Sequence, residues 1–364
     1  MKIRGFVILL SRVIYSINWF FLSPVIPFLL HKYSLPQNYS ALIPISFFIG
    51  AAIMQIPSAL ISTKIGMKTT YSLGLLIMGI TDILIAFSNS FLQLLIFYGL
   101  TGAGAAFFFS SAGGTLASLY SNKTATIMGI YNSLYSIGGA IGLTWGLLDE
   151  KIGFVPSTLI LGSLTIVLGL VNLFSNYENY KPKLRVITNR NVLLVALGTA
   201  GAWGEFYAIS ELYPSFADFI LKKSPITYGL FSSILLYSTM IGGFLTFLMD
   251  LFKNKRFLGL AISTILGIIP ALMLYTNYFL VGMIILGLFN QISISLAYAM
   301  AIDFVSAENS SISLGELNAI QIGTGTLIVF ISSLDLALSW YISVVIDLSL
   351  LAFLIPFLKL DNRR

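Results

Sequence analysis

The sequence predicts an all-α polytopic membrane protein, and three observations carry that prediction. Of 364 residues, 57% are hydrophobic and only 9% are charged, with a mean hydropathy of +0.93. A soluble domain carries about a quarter of its residues as charges to cover its surface, so this chain is solvated by lipid. The apolar residues also fall in long continuous runs without the period-two alternation of barrel strands, which selects helices. Finally, the basic residues gather on alternate loops.

Twelve spans follow from the punctuation between apolar runs, near 5–30, 40–62, 69–88, 91–119, 124–148, 153–175, 191–220, 226–250, 257–276, 278–304, 315–335 and 338–358. At ~20 residues per crossing they use ~240 residues, which leaves no room for a soluble catalytic domain. The first run is too long for the apolar region of a secretory signal and lacks a small-residue cleavage site, so no cleavable signal is expected. With the N-terminus inside, fifteen Lys and Arg fall on cytoplasmic loops and four (Lys32, Lys151, Lys222 and Lys223) fall outside. That bias places both termini in the cytoplasm of a plasma-membrane protein. The 304–314 connection dissents, carrying Glu308 and no Lys or Arg.

The longest polar stretch, with Pro182 and four basic residues, separates an N-terminal six-helix bundle (1–175) from a C-terminal one (191–364, with a short tail). Residues 176–190 form a cytoplasmic linker. An internal repeat supports two parallel halves. An offset of 187 residues places Asn18-Trp19-Phe20 on Glu205-Phe206-Tyr207, Ser23 on Ser210, Pro27 on Pro214, Thr63 on Asp250 and Lys68 on Lys255.

Ionisable groups at membrane depth are costly and are functional candidates by default. Glu205 lies near the middle of span seven and its repeat partner Asn18 at similar depth in span one. Glu211 lies on a different face, on the stripe Trp203, Tyr207, Glu211, Pro214; Pro214 can break the helix there, which suggests an outer gate. Arg12, early in span one, is expected to snorkel to the cytoplasmic surface; a sharper alternative pairs it with Asp303 or Glu316. Asp82 and Asp347 are also intramembrane, and Asp347 requires a partner or a proton. Uncharged polar groups form stripes: Gln291, Ser295 and Tyr298 in span ten; Asn318, Gln321 and Gly325 in span eleven; Asn132, Tyr135 and Ser136 in span five. Such stripes bind ligands or hold helices together.

Motifs then point to a family. The loop after span two reads Ala59-Leu-Ile-Ser-Thr63-Lys64-Ile-Gly66-Met67-Lys68. It resembles the Gly-x-x-x-Asp-Arg-x-Gly-Arg-Lys loop of the major facilitator superfamily at Lys64, Gly66 and Lys68, and departs from it at Ala59 and Thr63. The second half repeats the loop as Thr246-Phe-Leu-Met-Asp250-Leu-Phe-Lys253-Asn-Lys255-Arg256, keeping the acid and the basic pair. Span five carries Gly138, Gly142 and Gly146, similar to the family's antiporter signature, with Leu143 in place of its proline. Glycines every fourth residue also make a flat packing stripe.

The resemblance covers the whole chain. It implies the superfamily fold, two six-helix bundles related by a pseudo-two-fold axis, with helices one, four, seven and ten around a central cavity. It also implies a gating charge lock of Asp250, Lys255, Arg256, Lys64 and Lys68. Lining that cavity, Tyr15, Asn18, Trp19, Asn132, Trp203, Glu205, Tyr207, Gln291, Tyr298, Asn318 and Gln321 are the candidate substrate or proton site. Aromatic walls with one carboxylate suit a small amphipathic or cationic organic solute.

The expected function is secondary active transport by alternating access, proton-coupled, with export favoured over uptake. Uptake by the same fold and a non-transporting receptor or lipid-flipping protein are the alternatives. No P-loop, zinc-protease or serine-nucleophile motif is present, so an enzyme is not expected. With no cysteine and a single histidine, neither cofactor nor metal is implied. The expected partners are the solute, protons and the bilayer, without nucleic acid, and the chain is expected to act as a monomer.

Overall fold

A computed structural model describes residues 5–119, 124–176, 178–181, 189–245, 256–304 and 310–356. The chain divides into two compact units, Met1–Arg185 and Val186–Arg364. Unit 1 is built from α1 Phe6–Phe20, α2 Ile26–Lys32, α3 Leu42–Ile65, α4 Met67–Ala86, α5 Phe91–Leu119, α6 Thr124–Leu143, α7 Gly146–Ile152 and α8 Phe154–Leu173. Unit 2 comprises α9 Arg190–Phe219, α10 Pro225–Leu245, α11 Arg256–Leu266, α12 Phe279–Asp303, α13 Ser310–Ser333 and α14 Ser339–Leu350. Short 3-10 segments, Ile269–Tyr275 and Leu351–Leu354, extend α11 and α14.

Among the described residues, nine helices are long and apolar enough to cross a membrane. The three other expected spans are helical too. They are α6, α13, and α14 with its 3-10 end, Ser339–Leu354, which is apolar but shorter. Two details depart from the sequence reading. The fifth span is broken at Thr144–Trp145, so Gly146 begins a separate helix instead of extending the glycine stripe. In contrast, α9 runs unbroken through Pro214, because a bundle interior tolerates a proline whose freed carbonyl finds other partners. The proposed break that would have freed Glu211 as a gate is absent; Glu211 is buried in a continuous helix.

Glycines set the helix spacing in both units. A Cβ on Gly138 of α6 would lie 2.1 Å from the Val13 carbonyl oxygen of α1, and one on Gly142 would lie 2.9 Å from that of Ile17. In unit 2 a Cβ on Gly325 of α13 would lie 2.3 Å from the Trp203 ring of α9. Gly325 follows Gly138 by 187 residues, and Trp203 follows Ser16, which also meets Gly138, by the same number. Helix pairs therefore repeat as well as residues. Ser11 meets Asn172 where α1 packs on α8, and Gly198 meets Leu354 where α9 packs on α14.

The end of α8 folds back onto the loop between α3 and α4. Asn179 Oδ1 accepts the Lys68 backbone N–H at 3.0 Å, while its Nδ2 donates to the Ile65 carbonyl at 2.8 Å and to Thr69 Oγ1 at 2.9 Å. Beside it the Met67 N–H donates to the Tyr180 carbonyl at 2.9 Å, and Lys68 Nζ donates to the Ser175 carbonyl at 3.0 Å. An amide thus caps the first turn of α4, and a cation sits at the end of α8, where the helix dipole favours it. Gly66 is required twice over: its φ is +90°, and a Cβ there would lie 2.1 Å from Asn179 Oδ1. At the other end of the unit, Ser157 donates to Asp149 at the start of α8. Burial pushes the Asp149 carboxyl up to about 6, against the pull of that bond.

Asn179→Ala should cost about 1–3 kcal/mol of stability, because it leaves several loop groups without partners. Gly66→Ala should cost a similar amount by displacing the same side chain. Thermal unfolding of the purified protein checks this: the double variant should be little worse than either single one, and additive losses would disprove the shared clamp.

Candidate functional site

In unit 2, every residue of α9 from Gly198 to Ala217 is buried, so this helix meets neighbours on all sides. Three contacts fix its rotation. Gly201 lets α14 approach so closely that a Cβ would lie 2.8 Å from the Asp347 Cα. Trp203 packs on Gly325 of α13, and the Ala202 carbonyl accepts from Asn290 of α12. Glu205, one turn beyond Gly201, therefore faces α14.

There it meets Asp347. The polar groups acting on the Glu205 carboxyl are Asp347 and Ser343, both on α14, and Glu205 is the charged group acting on Asp347. Both acids are fully buried, and none of their four oxygens has a hydrogen-bond partner of ordinary geometry. No cation compensates either of them among the described residues. Two acids in one apolar seam cannot both ionise without large cost, so the arrangement is suited to holding and releasing a proton. The corresponding place in unit 1 is neutral: Asn18 Nδ2 donates to Thr165 Oγ1 at 3.2 Å and to the Ile14 carbonyl at 2.9 Å.

Of the other polar candidates, two join helices and two bond within their own helix. Gln321 Nε2 donates to Thr199 Oγ1 at 2.8 Å, joining α13 to α9. Tyr298 Oη donates to Asn318 Oδ1 at 3.1 Å, joining α12 to α13. Gln291 donates to Ser295 on its own helix, and the Asn132 carbonyl accepts from Ser136. Trp203 and Tyr207 pack in a tilted arrangement with ring centroids 3.9 Å apart. In unit 1, Trp19 packs edge-on to Phe47 at 4.6 Å, and Tyr15 stacks on Phe108 at 5.0 Å.

Arg12 does not snorkel. It is 3% exposed, and its guanidinium carbon lies 4.2 Å from the Tyr131 ring centroid, 4.5 Å from Tyr15, 4.6 Å from Tyr135 and 5.1 Å from Phe109. Aromatic faces from α1, α5 and α6 surround the buried charge. The arginine sits too close to these rings to reach for the membrane surface. Of the charge lock, Lys64 is exposed and Lys68 holds the end of α8. Asp250, Lys255 and the side chains of Arg256 and Asp303 lie outside the described residues. Asp82 accepts from Thr101, 3.4 Å away, which in turn pairs with Thr81.

Sequence reasoning missed Ser343, the Phe109–Tyr131 part of the cage and Asn179. One signal was available: Ser339, Ser343 and Asp347 recur every fourth residue and so mark one face of α14. Arg12→Lys keeps the charge but loses the flat guanidinium that four rings contact, and should cost about 1–2 kcal/mol. Thermal unfolding that matches wild type would show that the cage holds only a point charge.

The comparisons with known proteins agree with this architecture. No curated protein sequence matches the chain. Among solved structures it is similar to a bacterial homologue of the human lysosomal transporter Spinster, described as inward-facing and unoccupied. The TM-score is 0.72 at 17% identity, covering 100% of this chain and 98% of that one. The inward-facing, occupied form of that homologue matches with a TM-score of 0.71 at 17% identity, covering 99% and 96%. Residues 8–320 match the Major Facilitator Superfamily. The chain thus belongs to that superfamily and is a multi-pass membrane transporter of the alternating-access kind.

Proposed function

We propose that the protein is a proton-coupled carrier that exports a small amphipathic or cationic organic solute. In this reading 1–175 and 191–364 are the two moving bundles, joined by the cytoplasmic linker 176–190 in a plasma-membrane monomer with both termini inside. The observation that carries it is the Glu205–Asp347 pair, buried and without a compensating cation among the described residues, with Glu205 on the helix that packs against most of unit 2. A carrier that couples to protons needs a group that is neutral in one state and ionised in another. Two facing acids meet that need, whereas a purely structural contact would gain nothing from a second carboxyl.

The aromatic surfaces of α1 and α9, with Tyr15, Trp19, Trp203 and Tyr207, support an amphipathic solute. The glycine stripe of α6 supports export, and the loop charges support the orientation. Asp250, Lys255 and Arg256 act as the cytoplasmic lock in this scheme. Pairing with Asp347 favours proton coupling by Glu205 over direct recognition of a cation.

Proteoliposomes with ethidium as the probe test the reading. Glu205→Gln keeps size and hydrogen bonding but cannot titrate, so pH-driven ethidium flux should vanish while ethidium exchange persists. Wild-type pH-driven flux in that variant would reduce Glu205 to a structural residue.

A further inference from the structure

Beyond Glu205 and Asp347, three further buried polar atoms of unit 2 without partners lie on the same two helices. Tyr213 Oη, Trp340 Nε1 and Ser215 Oγ are all buried without a hydrogen-bond partner, and all lie on α9 or α14. The two helices run antiparallel. Gly198 meets Leu354 and Gly201 meets Asp347, while Tyr213 meets Trp340, ring centroid to ring centroid, at 6.2 Å. Tyr213 is eight residues past Glu205 and Trp340 seven before Asp347, so both stand about 10–12 Å along the seam from the acids. They stand in the same direction.

Ser343 fills the turn between. Its Oγ donates to the Trp340 carbonyl at 3.4 Å, and the backbone N–H of Trp340 donates to Tyr275 Oη at 3.0 Å. Tyr275 ends the 3-10 segment and is partly exposed, and Thr276 beyond it is exposed. The seam is therefore lined with polar edges from the acids to the surface at this end.

Towards the other end it is closed. A Cβ on Gly198 would lie 2.5 Å from Leu354, and Leu354 packs with Val192, Val195, Ala196 and Leu351 in an apolar cluster. The polar side chain next to Gly198 on α9, Thr199, is bonded to Gln321 of α13. Buried polar atoms without protein partners call for water, and the polar half of the seam is where such water would find donors and acceptors.

We propose that protons reach the Glu205–Asp347 pair along the α9–α14 seam from the Tyr275 end, by way of Ser343 and water held by Tyr213 and Trp340. The proton route is thus separate from the solute's. Each hydroxyl passes its proton inward as it takes one from the neighbour on its outer side. One proton arrives at the carboxylate, and Ser343 and Tyr275 end neutral. The indole N–H orients water and exchanges nothing. The titratable groups near Glu205 are Asp347 from α14, Tyr275 from the 3-10 segment, and Glu211 and Tyr213 on α9 itself. The proposal rests on the proton role assigned to the carboxyl pair.

The test uses the full chain in lipid nanodiscs and needs no solute. Rapid-mixing infrared spectroscopy after a pH jump follows the protonated-carboxyl stretch that Glu205→Gln removes. In Tyr275→Phe, which deletes one hydroxyl, and in Ser343→Val, the band should appear at least roughly tenfold more slowly and reach its wild-type amplitude. Wild-type rates in both variants would overturn the route, as would a changed final amplitude in Tyr275→Phe, which would mark a structural role. If Ser343→Val does not fold, Tyr275→Phe decides alone. A wild-type band indifferent to Glu205→Gln would instead sink the proton role of the pair, and the route with it.

Discussion

Two carboxyl groups face each other in the interior of unit 2, and the cost of charging both shapes what that unit can do. Two unit charges about 4 Å apart repel by roughly 4 kcal/mol even at an effective dielectric of about 20, and each loses its hydration on burial. An arginine or lysine beside Glu205 would remove that cost and fix the charge state. The structure pairs it with a second acid instead. Whatever holds the pair together must therefore come from outside the side chains, and a proton is the smallest group that does so. The close approach of α9 and α14 at Gly201 creates this situation; a larger residue there would separate the acids and relieve the conflict.

The same architecture is electrically quiet in unit 1. Asn18 occupies the position of Glu205, and its amide donates to the neutral Thr165 of α8. Charge in unit 1 is placed one and a half turns earlier, at Arg12, where aromatic faces surround it. Thr199 stands at the Arg12 position in unit 2 and accepts from Gln321. The two halves share helix contacts down to individual glycines, yet they have exchanged which position is charged and with what sign. A repeat that keeps its packing residues and diverges at its polar ones supplies two rigid frames with different chemistry.

Much of this was legible in the sequence because it follows from local rules. Apolar run length, loop charge and the 187-residue offset depend on residues close in the chain or on a simple register. The offset also placed Asn18 over Glu205, a pairing now seen in equivalent helix contacts. The partner of Asp347 was not legible: it depends on how α14 rotates against a helix about 140 residues earlier, and no local period encodes that. Arg12 was misread because early position in a span suggests snorkelling, whereas four rings from three helices converge on it. At the loop after α3, Asn179 from beyond α8 caps the first turn of α4, a contact between segments more than 100 residues apart. In each case the error lay in a contact across the sequence, not in the residue singled out.

The central claim is that Glu205 and Asp347 hold one proton between them. Static infrared difference spectra of wild type, Glu205→Gln and Asp347→Asn test this most directly, because a shared proton belongs to both groups. The account predicts a protonated-carboxyl band at neutral pH that either substitution removes or shifts. Spectra in which neither substitution touches a protonated-carboxyl band would contradict it, because both acids would then be ionised and the seam would need a cation that none of the described residues supplies.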